Sequence, residues 1–314
     1  MRLAFMGTPE FAVPTLQALL ASQHSLQAVF TQPDRPSGRG EQLVPPLVKQ
    51  LALKEEIPVF QPEVLKQSEW ESVFRDLSVD AFVVVAYGKI LRPWLLEIPK
   101  WGAYNVHASL LPKYRGAAPI AWAIANGESV TGITTMKLDA GLDTGDILLQ
   151  KAVQIEATDT AADLHHRLSL LGATLMIETL DGLERGVLRP IPQDSGLASH
   201  APMLKKSDGE IHWDDAADVI ANRIRAFNPW PGTYTSFRGQ ILKIWKARST
   251  KILLGESYPA GSLLYHDAHQ LLVTCGRGFL QLDEVQLQNR RRTSALDFVH
   301  GVRLAKNQHL VLGR

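Results

Sequence analysis

The sequence predicts a two-part protein: an α/β domain with a doubly wound, mostly parallel sheet, followed by a small β-barrel. Three observations predict it. Up to residue 189, short apolar runs alternate with helical patterns, the rhythm of strand–helix–strand crossovers. From residue 209, one helix precedes short runs rich in Ile, Val, Tyr and Trp, separated by Gly and polar turns. Between them, residues 190–208 are rich in Pro, Ser, Gly and Asp and lack periodicity, which marks a linker. The expected domains are therefore 1–189 and 209–314.

The elements follow in order. Leu3 to Met6, Leu26 to Thr31 and Ala81 to Ala86 are short and apolar, as strands buried on both faces must be. A helical pattern with Phe11, Leu16, Leu19 and Leu20 follows Thr8-Pro9. Pro9 suits a first helical turn, whereas Pro14 implies a late start or a bend. Trp101 to Val106, Gly132 to Leu138 and Ile147 to Ile155 read as further strands. Thr160 and Asp163 form a capping-box pattern ahead of a stripe of Leu164, Leu168, Leu171 and Leu175, and Gly186 is placed to end that helix. In the second part, a helix is expected over 215–227, with strands at Tyr234 to Phe237, Leu242 to Trp245, Leu271 to Cys275 and Gly278 to Leu280.

The bulk properties bound the function. The 314 residues are 45% hydrophobic, ordinary for a soluble protein. No run is long and apolar enough to span a bilayer, and the N-terminus reads as a first strand rather than a signal peptide. With Cys275 alone no internal disulfide forms, which fits a reducing cytoplasm, and its strand-like setting makes it a buried small hydrophobe. Residues 1–190 hold 17 Lys and Arg against 21 Asp and Glu, a balance of −4; the rest hold 16 against 11, a balance of +5. A mildly basic second half is compatible with phosphate contacts without requiring them. Gly7-Thr8-Pro9 follows the first strand but lacks the spaced glycines of a dinucleotide site, which disfavours NAD.

The most informative stretch runs from Asn105 to Gly116. Asn105 and His107 alternate with Val106, so a strand points both to one face, just before Ser109-Leu110-Leu111-Pro112 breaks regular structure. Ligands bind beyond the carboxyl ends of parallel strands. An amide there can hold a carbonyl oxygen as it becomes negative, and an imidazole can move a proton. The same two side chains could instead bond the loop backbone. Residues 138–146 carry Asp139, Asp143 and Asp146 among turn formers. One carboxylate could orient His107, or all three could form a solvated turn. Spacing does not choose. His165 and His166 are adjacent on a helix and diverge, so they read as surface residues, and no metal site is expected.

These segments resemble the folate-dependent formyltransferase family, with its Asn-x-His, its Ser-Leu-Leu-Pro and its distant Leu-Asp-x-Gly turn. Three more segments carry the likeness along the whole chain: 30–40 with Arg35 and Arg39, 84–88, and Ala226 to Gly232. The resemblance implies a Rossmann-like formyltransferase domain and an OB-like second domain. It implies Asn105, His107 and Asp143 as the catalytic trio, with Asp146 left to turn structure. It implies Ser109, Leu110, Leu111 and Pro112 as the folate-binding loop, with a cis bond at Leu111–Pro112. The formyl donor it implies is 10-formyltetrahydrofolate, and the acceptor is the methionine amine on initiator methionyl-tRNA. The loop 34–49, with Arg35 and Arg39, would enter the tRNA acceptor end, although Glu41-Gln42 makes it less basic than in some relatives. Arg290, Arg291 and Arg292, the strongest positive run, are the expected tRNA contacts of the second domain. A cytoplasmic monomer is expected. The alternatives are formylation of an amino sugar or nucleotide, hydrolysis of the same folate, and a nucleic-acid-binding protein with an inactive α/β domain.

Overall fold

The protein was analysed as a computed structural model, which describes residues 1–37, 42–252, 258–266, 270–304 and 309–313. The chain forms two compact bodies. The first comprises 1–119, 130–154 and 165–201, and the second 120–129, 155–164 and 202–314. Residues 190–201, expected as linker, thus pack with the first body.

In chain order the elements up to residue 184 are β1 (Arg2–Gly7), α1 (Val13–Leu20), β2 (Ser25–Phe30), β3 (Arg35–Ser37), β4 (Gln42–Val44), α2 (Leu47–Lys54), β5 (Val59–Phe60), α3 (Gln67–Asp76), β6 (Ala81–Val85), α4 (Pro93–Leu96), β7 (Ala103–His107), α5 (Pro119–Ala125), β8 (Val130–Lys137), β9 (Ile147–Gln154) and α6 (Ala161–Glu184). One seven-stranded sheet runs β5-β2-β1-β6-β7-β8-β9. The first five are parallel, whereas β8 runs antiparallel to both β7 and β9. A nine-residue loop, 138–146, with no helical crossover joins β8 to β9, as an antiparallel pair allows.

Local sequence explains the elements. β6 is buried at every position, as a central parallel strand must be. Pro14 sits in the first turn of α1, where its missing N–H costs nothing, so the helix starts late rather than bending. The capping box at α6 is formed: Thr160 N–H donates to Asp163 and Asp163 N–H to Thr160. Gly186, at φ +70°, follows the end of that helix, a conformation in which glycine pays no Cβ penalty. One core cluster gathers Phe30, Phe74 and Phe82 with Tyr87 and Leu95. The Phe30 and Phe74 rings stack at 4.4 Å, and such pairs add roughly 0.5–1.5 kcal/mol beyond burial. His165, expected at the surface, is half-buried edge-on against Phe11 at 5.1 Å, and burial lowers its pKa.

The second body holds α7 (Ala217–Ala226), β10 (Thr233–Phe237), β11 (Gln240–Thr250), β12 (Ser262–His266), β13 (Gln270–Thr274), β14 (Phe279–Leu287), β15 (Thr293–Ser294), α8 (Ala295–Gly301) and β16 (His309–Val311). Its strands run β10-β11-β14-β13-β12-β16, all antiparallel. Gly313, just past β16, donates to Ser236 on β10 at 2.9 Å and nearly closes the barrel. Leu242 and Ile244 point inward to a core with Leu263, Leu271 and Phe298. Cys275 lies in that core, and burial pushes its thiol up to about 12. Among the described residues no helix is long and apolar enough to cross a membrane.

Candidate active site

β7 delivers the two residues that its alternation predicts. Asn105 pairs in register with Val84 on β6 and Met136 on β8, and His107 with Thr134. Asn105 is half-buried and its side-chain amide has no hydrogen-bond partner among the described residues. His107 is buried, 5% exposed. Its Nε2 lies 2.9 Å from the Tyr114 carbonyl. A carbonyl only accepts, so Nε2 carries the hydrogen and the neutral ring keeps its lone pair on Nδ1. Nδ1 faces Asp143 Oδ2 at 3.7 Å. The carboxylate itself is fixed by the Gly116 N–H, 2.8 Å from the same oxygen.

The other turn carboxylates are placed differently. Asp139 caps its own turn, accepting from Gly141 N–H and the Thr144 hydroxyl. Asp146 contributes its carbonyl, which accepts from Lys137 N–H at 2.9 Å. Only Asp143 faces the imidazole. Its backbone is left-handed at φ +53°, as is that of Tyr114 at φ +61° and of Ala86, beyond β6, at φ +47°. Each of these non-glycine residues is held by its surroundings in a conformation that costs on the order of 1–3 kcal/mol.

The Ser109 to Pro112 turn is largely self-contained. Ser109 is fully buried and its hydroxyl donates to the Lys113 carbonyl at 2.6 Å. Leu111 is buried, its N–H bonded to Thr134 Oγ1 and its carbonyl to Gln150 Nε2. Leu110 and Pro112 are half-buried, and the Leu111–Pro112 peptide is cis. Apolar surface is exposed instead at Ile90, 80%, and at Leu142, 61%, which adjoins Asp143.

A cleft of about 660 Å³ opens beyond the carboxyl ends of β1, β2 and β6, lined by Thr8, Pro9, Gln32, Pro45, Leu47 and Tyr87 among others. Arg35 also lines it, on the β3–β4 ribbon. That ribbon is tied at its base, where Lys49 Nζ donates to both Asp34 oxygens at 2.9 and 2.7 Å and Gln61 Nε2 adds a third bond. Arg39 lies outside the described residues.

On the second body Arg290 and Arg291 are exposed. Arg292 differs: it is ion-paired with Glu284 and stacks over Trp245 at 5.2 Å. Nearby in sequence to β10, Trp230 is 57% exposed.

Residues that sequence analysis missed hold this site together. Tyr114 bonds His107 and Gly116 bonds Asp143. Gln193 Nε2 donates to the carbonyls of Asp143 and Gly145 at 2.9 and 2.7 Å, and its Oε1 accepts from Arg115 Nε and Nη2 at 3.0 and 2.8 Å. No local signal marks Gln193, because its partners lie far away in sequence.

The formyl transferase family matches residues 1–180, and the formyl transferase C-terminal domain matches residues 203–303. The chain belongs to the formyl transferase family. A methionyl-tRNA formyltransferase of Pelotomaculum thermopropionicum is 49% identical over 313 residues, covering 100% of this chain and 99% of its own. One from Geobacter metallireducens is 49% identical over 300 residues, covering 96% and 95%. Among solved structures, the sugar 3N-formyl transferase WlaRD, crystallised with dTDP and 5-N-formyl-THF, superposes with a TM-score of 0.68 at 20% identity, covering 93% of this chain and 99% of its own. An N-formyltransferase of Helicobacter canadensis gives 0.65 at 20% identity, with the same coverage. At that identity the family's fold is what is shared.

Proposed function

We propose that this chain transfers the formyl group of 10-formyltetrahydrofolate to the free amine of methionine on initiator methionyl-tRNA, yielding formylmethionyl-tRNA. Full-length relatives at 49% identity are named methionyl-tRNA formyltransferases. The observation that carries the chemistry is Asp143 against His107 at 3.7 Å, with Asn105 two residues before it on β7.

The amine nitrogen attacks the formyl carbon, a C–N bond forms, and the carbonyl oxygen becomes negative. Asn105, whose amide is otherwise unpartnered, donates to that oxygen. The attacking nitrogen must shed a proton. His107 Nε2 is committed to Tyr114, so Nδ1 takes it. The positive charge then forms against Asp143 Oδ2. When the adduct collapses, the carbonyl re-forms, the bond to the folate nitrogen breaks, and Nδ1 returns the proton to that nitrogen. No side-chain nucleophile is consumed.

The folate is assigned to the Ser109–Pro112 turn that follows this strand, where Leu110 and Pro112 are half-buried. Ser109 and Leu111 support the turn from within. The cleft beside β6 suits the aminoacyl end of the acceptor, because its floor continues the strand next to Asn105 and proline and leucine walls suit a thioether. Arg35 and Arg39 serve the acceptor stem, and Arg290 and Arg291 contact phosphates elsewhere on the tRNA. The test is direct: incubate the protein with 10-formyltetrahydrofolate and methionyl-tRNA and analyse the ester for formylmethionine. Turnover of a free amino sugar but not of methionyl-tRNA would replace this assignment.

A further inference from the structure

We propose that Gln193, gripped by Arg115, is a positioning residue that holds the Asp143 turn against His107. The proposal rests on the formyl-transfer chemistry above.

The orientation of the Gln193 amide is unambiguous. Carbonyls only accept and a guanidinium only donates, so Nε2 must face Asp143 and Gly145 and Oε1 must face Arg115. One amide therefore spans both ends of the segment from Asp143 to Gly145. That segment needs outside support. Asp143 is left-handed, and Gly145 packs so tightly that a Cβ there would lie 1.8 Å from the Lys137 carbonyl. The support is rigid, because Arg115 is only 5% exposed and both its bonds converge on one oxygen. A charged donor strengthens those bonds and polarises the amide toward the two carbonyls.

The geometry also couples the two catalytic partners. Tyr114, Arg115 and Gly116 are consecutive. The first receives His107 Nε2, the third bonds the Asp143 carboxylate, and the second reaches the Asp143 backbone through Gln193. The stretch around Gln193 is stitched down on both sides. Ile191 and Ile147 exchange two 2.8 Å bonds. Tyr114 N–H donates to Ser199 Oγ, and Arg115 N–H to the Ser199 carbonyl. A segment that reads as linker is thus part of the frame of the active site.

The test is a double-mutant cycle on the full chain, using 10-formyltetrahydrofolate and methionyl-tRNA. A silent wild type defeats the transfer chemistry and this proposal with it. With an active wild type, Gln193→Met should lower kcat by about 10²-fold, because a catalytic group misplaced by about an ångström costs that much. KM for either substrate should move less than about twofold, as expected when an interaction acts on the transition state alone. In an Asp143→Asn background the same change should cost less than about threefold, since the group being positioned has lost its charge. Equal losses in both backgrounds would mean a general structural role and would overturn the proposal. Should Gln193→Met fail to fold, Gln193→Glu decides: it keeps an acceptor for Arg115 but removes both N–H donors. Full turnover by Gln193→Glu overturns the proposal; a loss matching that predicted for Met, with the melting temperature retained, supports it.

Discussion

His107 has one ring nitrogen to spare. With Nε2 donating to Tyr114, the proposed proton transfer passes through Nδ1, which faces Asp143 at 3.7 Å. His107→Ala should therefore lower turnover by about 10²–10⁴-fold while folate binding, measured by fluorescence titration, stays near normal. Asn105→Ala should cost roughly 10²–10³-fold, the usual loss for one oxyanion donor. The paired comparison of Asp143→Asn with Asp146→Asn is sharper. The first should cripple turnover; the second should leave it within a few fold, since Asp146 contributes a backbone carbonyl. An essential Asp146 with a silent Asp143 would reverse the assignment. Cys275 should be inert in the folded protein. Burial holds its thiol at about 12, so almost no thiolate exists at pH 8. A disulfide reagent should therefore label it only after unfolding, and rapid labelling of the native protein would contradict its place in the barrel core.

At the scale of elements, the β3–β4 ribbon depends on its base. Asp34 and Lys49 stand at the two ends of the arginine-bearing segment and are joined by two bonds, with Gln61 bracing the carboxylate. Lys49→Met should release the ribbon and lower single-turnover formylation about tenfold, with folate affinity unchanged, because the acceptor end is held less well. The pH dependence has a definite sign. Hydrogen bonds from Lys49 and Gln61 hold the Asp34 carboxyl below its ordinary value. Its contribution is thus complete above that ordinary value and is lost only as pH falls through the depressed one. The gap between wild type and Lys49→Met should hold from about pH 8 to about pH 5, above the ordinary carboxylate range; a gap that closes by pH 6 would show the clamp is not what matters. The legibility of elements follows the same physics. β1 and β6 could be read because strands buried on two faces are near-continuous apolar runs, the facing of Asn105 and His107 because strand alternation is local, and Thr160 with Asp163 because a capping box is local. Pro14 left two possibilities because only the helix start distinguishes them. The reversal at β8 and the inward turn of the Ser109 hydroxyl were illegible, since both depend on partners elsewhere in the fold. Gln193 and Ser199 were hidden in a polar, aperiodic stretch whose bonds all run to distant residues.

At the scale of the whole molecule, charge is divided between the halves: −4 over residues 1–190 and +5 beyond them. Net charge of +1 conceals a second half suited to phosphates. If that half holds tRNA through counterion release, affinity should fall steeply with salt, and each phosphate contact removed should flatten the log–log slope by about one unit. The structure separates the three consecutive arginines. Arg290 and Arg291 are exposed, so Arg290→Gln with Arg291→Gln should reduce the slope by about two units. Arg292 already spends its charge on Glu284 and its plane on Trp245. Arg292→Gln should flatten the slope by less than one unit. Arg35 and Arg39 should behave differently again. Arg35 lines the cleft on the ribbon, and Arg39 is assigned to the same acceptor end; Arg35→Ala and Arg39→Ala should slow single-turnover formylation even at saturating tRNA, since misplacement of a bound reactant is not repaired by occupancy. The measurement is tRNA binding at several salt concentrations beside single-turnover rates for each variant. A salt-independent affinity, an Arg292→Gln slope equal to that of its neighbours, or full rates in the Arg35 and Arg39 variants would each break this division of labour at a different point.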